Sequence, residues 1–214
     1  MQLRLLALSL VVCLLALTGC KSTYYSAWEK LGWEKRDILS DSVTDARNEQ
    51  QKASTQFKTT LERFKELTNF QGGELESKYN TLKGQYESCE SRAATVTKRV
   101  NDVDTVAKDM FSEWEQELTQ YQNASLRATS EKKLSDTRQR YGQLIGAMRK
   151  AESRMKPVLA QFKDQVLFLK HNLNAQAIAS MQGTTSEIEL DVNQLIKEMD
   201  AAIAEADAFI GTLK

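Results

Sequence analysis

From residue 35 onward, apolar positions recur in alternating steps of four and three, a spacing that predicts long helices packed along narrow seams. The pattern is cleanest over 74–121, where it picks out Leu75, Tyr79, Leu82, Tyr86, Cys89, Ala93, Val96, Val100, Val103, Ala107, Met110 and Trp114. None of these is charged, and the positions between them are mostly Glu, Lys, Ser, Thr and Asp. Over 35–70 the same steps give Leu39, Val43, Ala46, Gln50, Ala53, Phe57, Thr60, Phe64 and Leu67. That seam holds small and polar members, so looser packing is expected at its start. A third stripe through 130–181 carries Tyr141, Ile145, Met148, Met155, Leu159, Phe162, Val166, Leu169 and Leu173. It keeps phase across Pro157, which predicts one continuous helix kinked by the missing hydrogen bond. Gly142 and Gly146, four apart, would let another helix approach closely. The last helix, over 185–213, shows Ile188, Val192, Leu195, Met199, Ile203, Ala206, Ile210 and Leu213 on one face.

The breaks are short. Gln71-Gly72-Gly73 separates the first two helices, with Glu74 and Glu76 placed to favour a helix N-terminus. Residues 122–129 join the second to the third. Gln182-Gly183 precedes the fourth, where Thr184-Thr185-Ser186-Glu187 fits a capping box. Short links between long helices imply antiparallel neighbours. The expected fold is therefore all-α, an elongated antiparallel helical bundle or coiled coil of about four helices over 35–214. The fourth helix should fold back only along the half of the third beyond Pro157. The 122–129 link should lie at the end where the chain enters, and 71–73 and 182–183 at the other.

Charge refines the pairing. Residues 130–180 hold ten basic and four acidic side chains, against six and ten over 74–121 and two and seven over 184–214. A basic helix between two acidic ones fits side-by-side packing, with charges choosing partners more than adding stability. The alternative is a basic face that meets anionic lipid or an acidic partner. With 29 basic and 29 acidic side chains overall, the chain lacks the concentrated positive surface that nucleic acid requires.

The N-terminus sets an expected compartment. Arg4 precedes an apolar stretch from Leu5 to Leu17 broken only by Ser9. That stretch is shorter than the roughly 20 residues of a spanning helix and has the length of a signal-peptide core. It ends Leu17-Thr18-Gly19-Cys20, which resembles the lipobox of bacterial lipoproteins. The resemblance implies that residues 1–19 are a signal peptide and that Cys20 receives a diacylglycerol thioether and an acylated amino group. Two or three acyl chains anchor stably, where one alone binds marginally. Lys21 stands where an inner-membrane retention signal often has Asp, which by the same resemblance favours the outer membrane, facing the periplasm. Residues 20–34 then form a membrane-proximal segment. Its Tyr24, Tyr25, Trp28 and Trp33 suit the membrane interface, and they suit equally well a cap on the base of the bundle.

Candidate chemistry is sparse. Cys89 invites an intermolecular disulfide or a redox role in an oxidising compartment. Its place in mid-seam between Tyr86 and Ala93 favours a buried small apolar residue instead. His171 is the only histidine, and a zinc site would need further ligands at suitable spacing. Acidic residues alternate with Lys and Arg as on a solvated helix face. No phosphate-binding or nucleophile-elbow motif occurs. Neither a cofactor nor a catalytic activity is expected.

Tyr24-Tyr25-Ser26-Ala27-Trp28-Glu29-Lys30-Leu31-Gly32-Trp33 and Lys35-Arg36-Asp37-Ile38-Leu39 resemble the start of a proteobacterial family catalogued as domain of unknown function 2959. Phe111-Ser112-Glu113-Trp114-Glu115, residues 123–127 and residues 164–177 are similar to further blocks of it. The resemblance implies a helical envelope protein and transfers no catalytic or binding residue. Within the last block, His171, Asn172, Asn174 and Gln176 form a polar patch that suits either a recognition surface near the distal tip or the hydrogen bonding of a chain reversal. The function expected is that of a lipid-anchored structural or interaction rod with an envelope protein partner. The alternative is a bundle that binds lipid or another hydrophobic ligand. A seam of this kind can be closed within one chain or between two, so a homo-oligomer stays open.

Overall fold

The computed structural model describes residues 34–68 and 75–213. Among these residues every regular element is helical: α1 Lys35–Thr68, α2 Leu75–Leu118, α3 Ala124–His171, α4 Ala175–Ser180 and α5 Gln182–Leu213. The five helices pack against one another. α1 lies against α2 and α5, and α3 lies against the same two.

Ion pairs and polar contacts show the directions. Lys35 meets Glu113, Asp45 meets Arg99, Glu49 meets Arg92 and Gln56 meets Gln85, so α2 descends as α1 rises. Arg47 meets Asp207 and Lys65 meets Glu189, which sets α5 against α1 in the same sense. The basic α3 pairs with both acidic neighbours, through Arg138 to Glu115 of α2 and Lys150 to Glu198 of α5.

The four-and-three spacing accounts for the core. All nine expected seam positions of α1 are buried, Gln50 and Thr60 as completely as Phe57 and Phe64. The small, polar start of that seam is therefore as well covered as the rest. In α2 the expected seam is buried from Leu82 to Met110, with Leu75, Tyr79 and Trp114 half-buried at its ends, and Phe111 and Leu118 are buried beside it. Phe162 of α3 stacks between Phe57 and Phe64, its ring centroid 6.1 and 5.0 Å from theirs. Buried aromatic rings of this size dominate core energetics.

Several sequence expectations need correction. The third helix is not continuous over 130–181. It starts six residues earlier, at Ala124, where Asn123 accepts hydrogen bonds from the Ser125 and Leu126 amides, and it ends at His171. The link expected over 122–129 is thus shorter and lies at 119–123. Pro157 does sit inside α3. The stripe of α3 uses Leu144, Ala151 and Val158, while Ile145, Leu159 and Leu173 are only half-buried. Residues 172–181 serve the reversal and α4, and α5 begins at Gln182. The 184–187 capping box is therefore interior helix, where Thr185 donates its hydroxyl to the Met181 carbonyl. Gly142 and Gly146 face open space, with nothing within 4 Å of a Cβ at either, so no helix approaches there.

α5 also returns much further than expected. Its Asp207 reaches Arg47 and its Phe209 ring lies 6.2 Å from that of Tyr141, well past Pro157. Four residues beyond Phe209, α5 ends about level with residue 137 of α3. Residues 124–136 consequently run on past the ends of both α1 and α5, a projection of about 20 Å at 1.5 Å per residue. Within it, 124–133 is exposed all round except at Ser130, whose hydroxyl accepts a 2.8 Å hydrogen bond from the Trp114 indole.

Candidate functional site

The proposed acylation residue, Cys20, and the aromatics Tyr24, Tyr25, Trp28 and Trp33 lie outside the described residues. What the fold places is the point where the chain enters. Glu34 precedes α1 at the end where α2 finishes, α5 finishes and α3 begins. A cleft of about 850 Å³ opens there, lined by Glu34 and Lys35, by Met110 and Trp114 of α2, by Lys133 of α3 and by Leu213. Its charges are partly spoken for, since Lys35 Nζ lies 2.6 Å from Glu113 Oε1.

The polar patch lies at the opposite end. His171 closes α3 and is exposed. Asn172 caps that helix, donating its side-chain amide to the Phe168 carbonyl and its backbone N–H to Leu169. Asn174 is the N-cap of α4 and accepts from the Ala177 amide. Both asparagines thus satisfy helix ends, the usual use of such side chains at a reversal. Gln176 is exposed on α4. The reversal meets α1 as well, for Gln182 donates to the Thr68 carbonyl at 3.4 Å.

Cys89 is fully buried, its Sγ 3.1 Å from the Thr60 hydroxyl oxygen. Burial pushes its thiol up to about 12, and the Thr60 contact works the other way. Such a thiol is chemically quiet, because the thiolate is the reactive form. Among the described residues no group of three or more His, Cys, Asp and Glu side chains is placed to hold a metal ion. No helix among them is long and apolar enough to cross a membrane.

Two polar arrangements were not expected. Asp104 of α2 accepts hydrogen bonds from Lys108 at 2.8 Å and from the Tyr141 hydroxyl of α3 at 2.9 Å. The Lys108 bond holds the Asp104 carboxyl below its usual range, with help from Tyr141 and the charges of Lys108 and Arg149 and against the effect of burial. The Tyr141 hydroxyl is raised by burial and then by that carboxylate. The second arrangement is in α1, where the side-chain amide of Gln50 and the hydroxyl of Ser54 are fully buried with no protein partner. Period alone marked position 50 as seam, but it cannot tell whether a buried amide finds a partner.

The family described as protein of unknown function (DUF2959) matches residues 24–213, and the chain belongs to it. No curated protein and no solved structure matches the chain.

Proposed function

We propose that this member of a family of unknown function is a bacterial envelope lipoprotein, acylated on Cys20 after removal of residues 1–19 and facing the periplasm from the outer membrane. On this reading α1, α2, α3 and α5 form an elongated antiparallel coiled-coil bundle that acts as an interaction rod. The observation that carries it is where the two ends fall. The chain enters beside Glu34, whereas the α3–α4–α5 reversal sits by Thr68 at the far end of α1. The 34 residues of α1 separate them by about 50 Å. An anchor at one end would present exposed His171 and Gln176 at the other, away from the bilayer and toward an envelope protein. A second reading, a binder of lipid or another hydrophobic ligand, draws on the cleft where Met110, Trp114 and Leu213 meet beside the chain entry.

Two measurements test the proposal. Metabolic labelling with a tagged fatty acid should mark the wild-type protein and not Cys20→Ser, and equal labelling would defeat the anchor. A photoreactive side chain at Gln176 should give a discrete adduct with one envelope protein in intact cells. Adducts confined to lipid, or lipid co-purifying in stoichiometric amount, would instead favour the ligand-binding reading.

A further inference from the structure

The described residues expose five large apolar side chains, and two of them, Tyr121 at 41% and Leu126 at 57%, sit five residues apart at the α2–α3 turn. The others, Leu167, Phe168 and Leu190, lie away from that end. The turn belongs to the projection that extends past α1 and α5 at the chain-entry end. We infer that this projecting α2–α3 tip is a second membrane-contacting element, in which Tyr121 and Leu126 enter the headgroup boundary of the bilayer that holds the lipid. The inference rests on the anchor proposed at Cys20.

Reach supports it. Lys35 pairs with Glu113, and Glu115 of α2 pairs with Arg138 of α3, so the start of α1 lies about level with residue 140 of α3. The start of α3 is then about 24 Å further toward the entry end. Fourteen residues separate Cys20 from Glu34, a length that covers about 21 Å as helix and at most about 48 Å extended. The tether therefore brings the acyl chains to the level of the tip without strain.

The sparse charge of the tip fits entry into the headgroup boundary. Residues 119–130 carry one charge, Arg127, and the first acid, Glu131, is paired with it at 2.9 Å. Lys132 and Lys133 follow. The first turn of α3 holds no carboxylate and the last turn of α2 no basic side chain, so two opposed helix ends meet at the tip. Asn123 already satisfies two of the amides at that end, which lowers the cost of entering a drier layer. A tyrosine and a leucine bind a bilayer weakly alone. Tethering raises their effective concentration enough for the contact to persist and to fix the tilt of the rod.

The test uses the full acylated protein in vesicles of phosphatidylethanolamine and phosphatidylglycerol. A polarity-sensitive fluorophore is attached at Leu126→Cys and, as a control in the distal half, at Leu190→Cys, a position 72% exposed. Both sites are on the surface, and buried Cys89 does not compete for the label. A nitroxide on the lipid chain should quench the label at 126 by about twofold or more and leave 190 unchanged, with aqueous iodide showing the reverse order. If the protein floats with the vesicles but both labels answer only to iodide, the tip inference fails and the anchor stands. If the intact mass shows no acyl group on Cys20, the anchor fails and this inference with it.

Discussion

Thr60 and Cys89 face each other across the α1–α2 seam, hydroxyl oxygen to sulfur 3.1 Å apart and fully buried. The Thr60 hydroxyl also donates to the Gln56 carbonyl at 2.9 Å, so the pair is tied to the backbone of α1.

That arrangement makes Cys89 inert in the folded protein. In a chain lacking residues 1–20 it is the single thiol. With the folded thiol near 12 against an ordinary 9.0, its thiolate fraction at pH 8 falls about a thousandfold. Alkylation should be slower by at least that factor in native buffer than in urea, and non-reducing gels should show no dimer. Ready labelling of the native protein would place Cys89 outside the seam.

Gln50 and Ser54 make the opposite kind of site. A buried polar group without a partner costs about 1–3 kcal/mol. Gln50→Leu removes two such atoms and keeps much of the volume, so it should stabilise the fold by about 1–2 kcal/mol in urea denaturation. A loss of stability would mean that ordered water or a bound ligand satisfies the amide, and would direct attention to this level of the bundle.

The same pair marks the boundary of what was legible beforehand. Helix periods and the four long seams could be read because burial follows from spacing alone, and every expected α1 seam position is buried. The charge contrast among helices likewise anticipated the partners of Arg138 and Lys150. The end of α3 was hidden, since Leu173 keeps the apolar phase while the caps that stop the helix, Asn172 and Asn174, depend on backbone angles that periodicity does not report. Placing that end ten residues late also made α5 look too short to return past Pro157 of α3. Of the candidate recognition patch, hydrogen bonding of the chain reversal was one of the two readings open in the sequence, and Asn172 and Asn174 are the side chains that perform it. The Asp104–Tyr141 bond joins groups 37 residues apart and leaves no local trace in the sequence.

Phe162 should be a highly sensitive core position of α3, because its ring is fully buried and touches two others. Phe162→Ala should cost about 3–5 kcal/mol, with Phe162→Leu less severe. A double-mutant cycle with Phe64→Leu should return a coupling of about 0.5–1.5 kcal/mol, the usual worth of an aromatic pair beyond its area. Additive effects would show that the 5.0 Å stack contributes only burial.

Asp104 links α2 to α3 through a carboxylate, and its contribution should depend on pH in a definite direction. Its folded pKa lies below the ordinary 3.8 because Lys108, Tyr141 and Arg149 favour the charged form. A group with a depressed folded pKa adds stability that is present above the unfolded value and lost as pH falls through the folded one. Asp104→Asn keeps an acceptor for the Tyr141 hydroxyl and removes the charge, so at pH 7 it should destabilise by about 1 kcal/mol, a figure discounted for its partial exposure. Stability curves of the two proteins should converge below pH 3.8 as the wild-type carboxyl protonates. Tyr141→Phe, which removes the hydroxyl instead, should keep part of its deficit in acid, because a neutral carboxyl still accepts a hydrogen bond. A gap between wild type and Asp104→Asn that stayed constant from pH 7 into acid would assign the effect to shape rather than charge, and the electrostatic account of this contact would be lost.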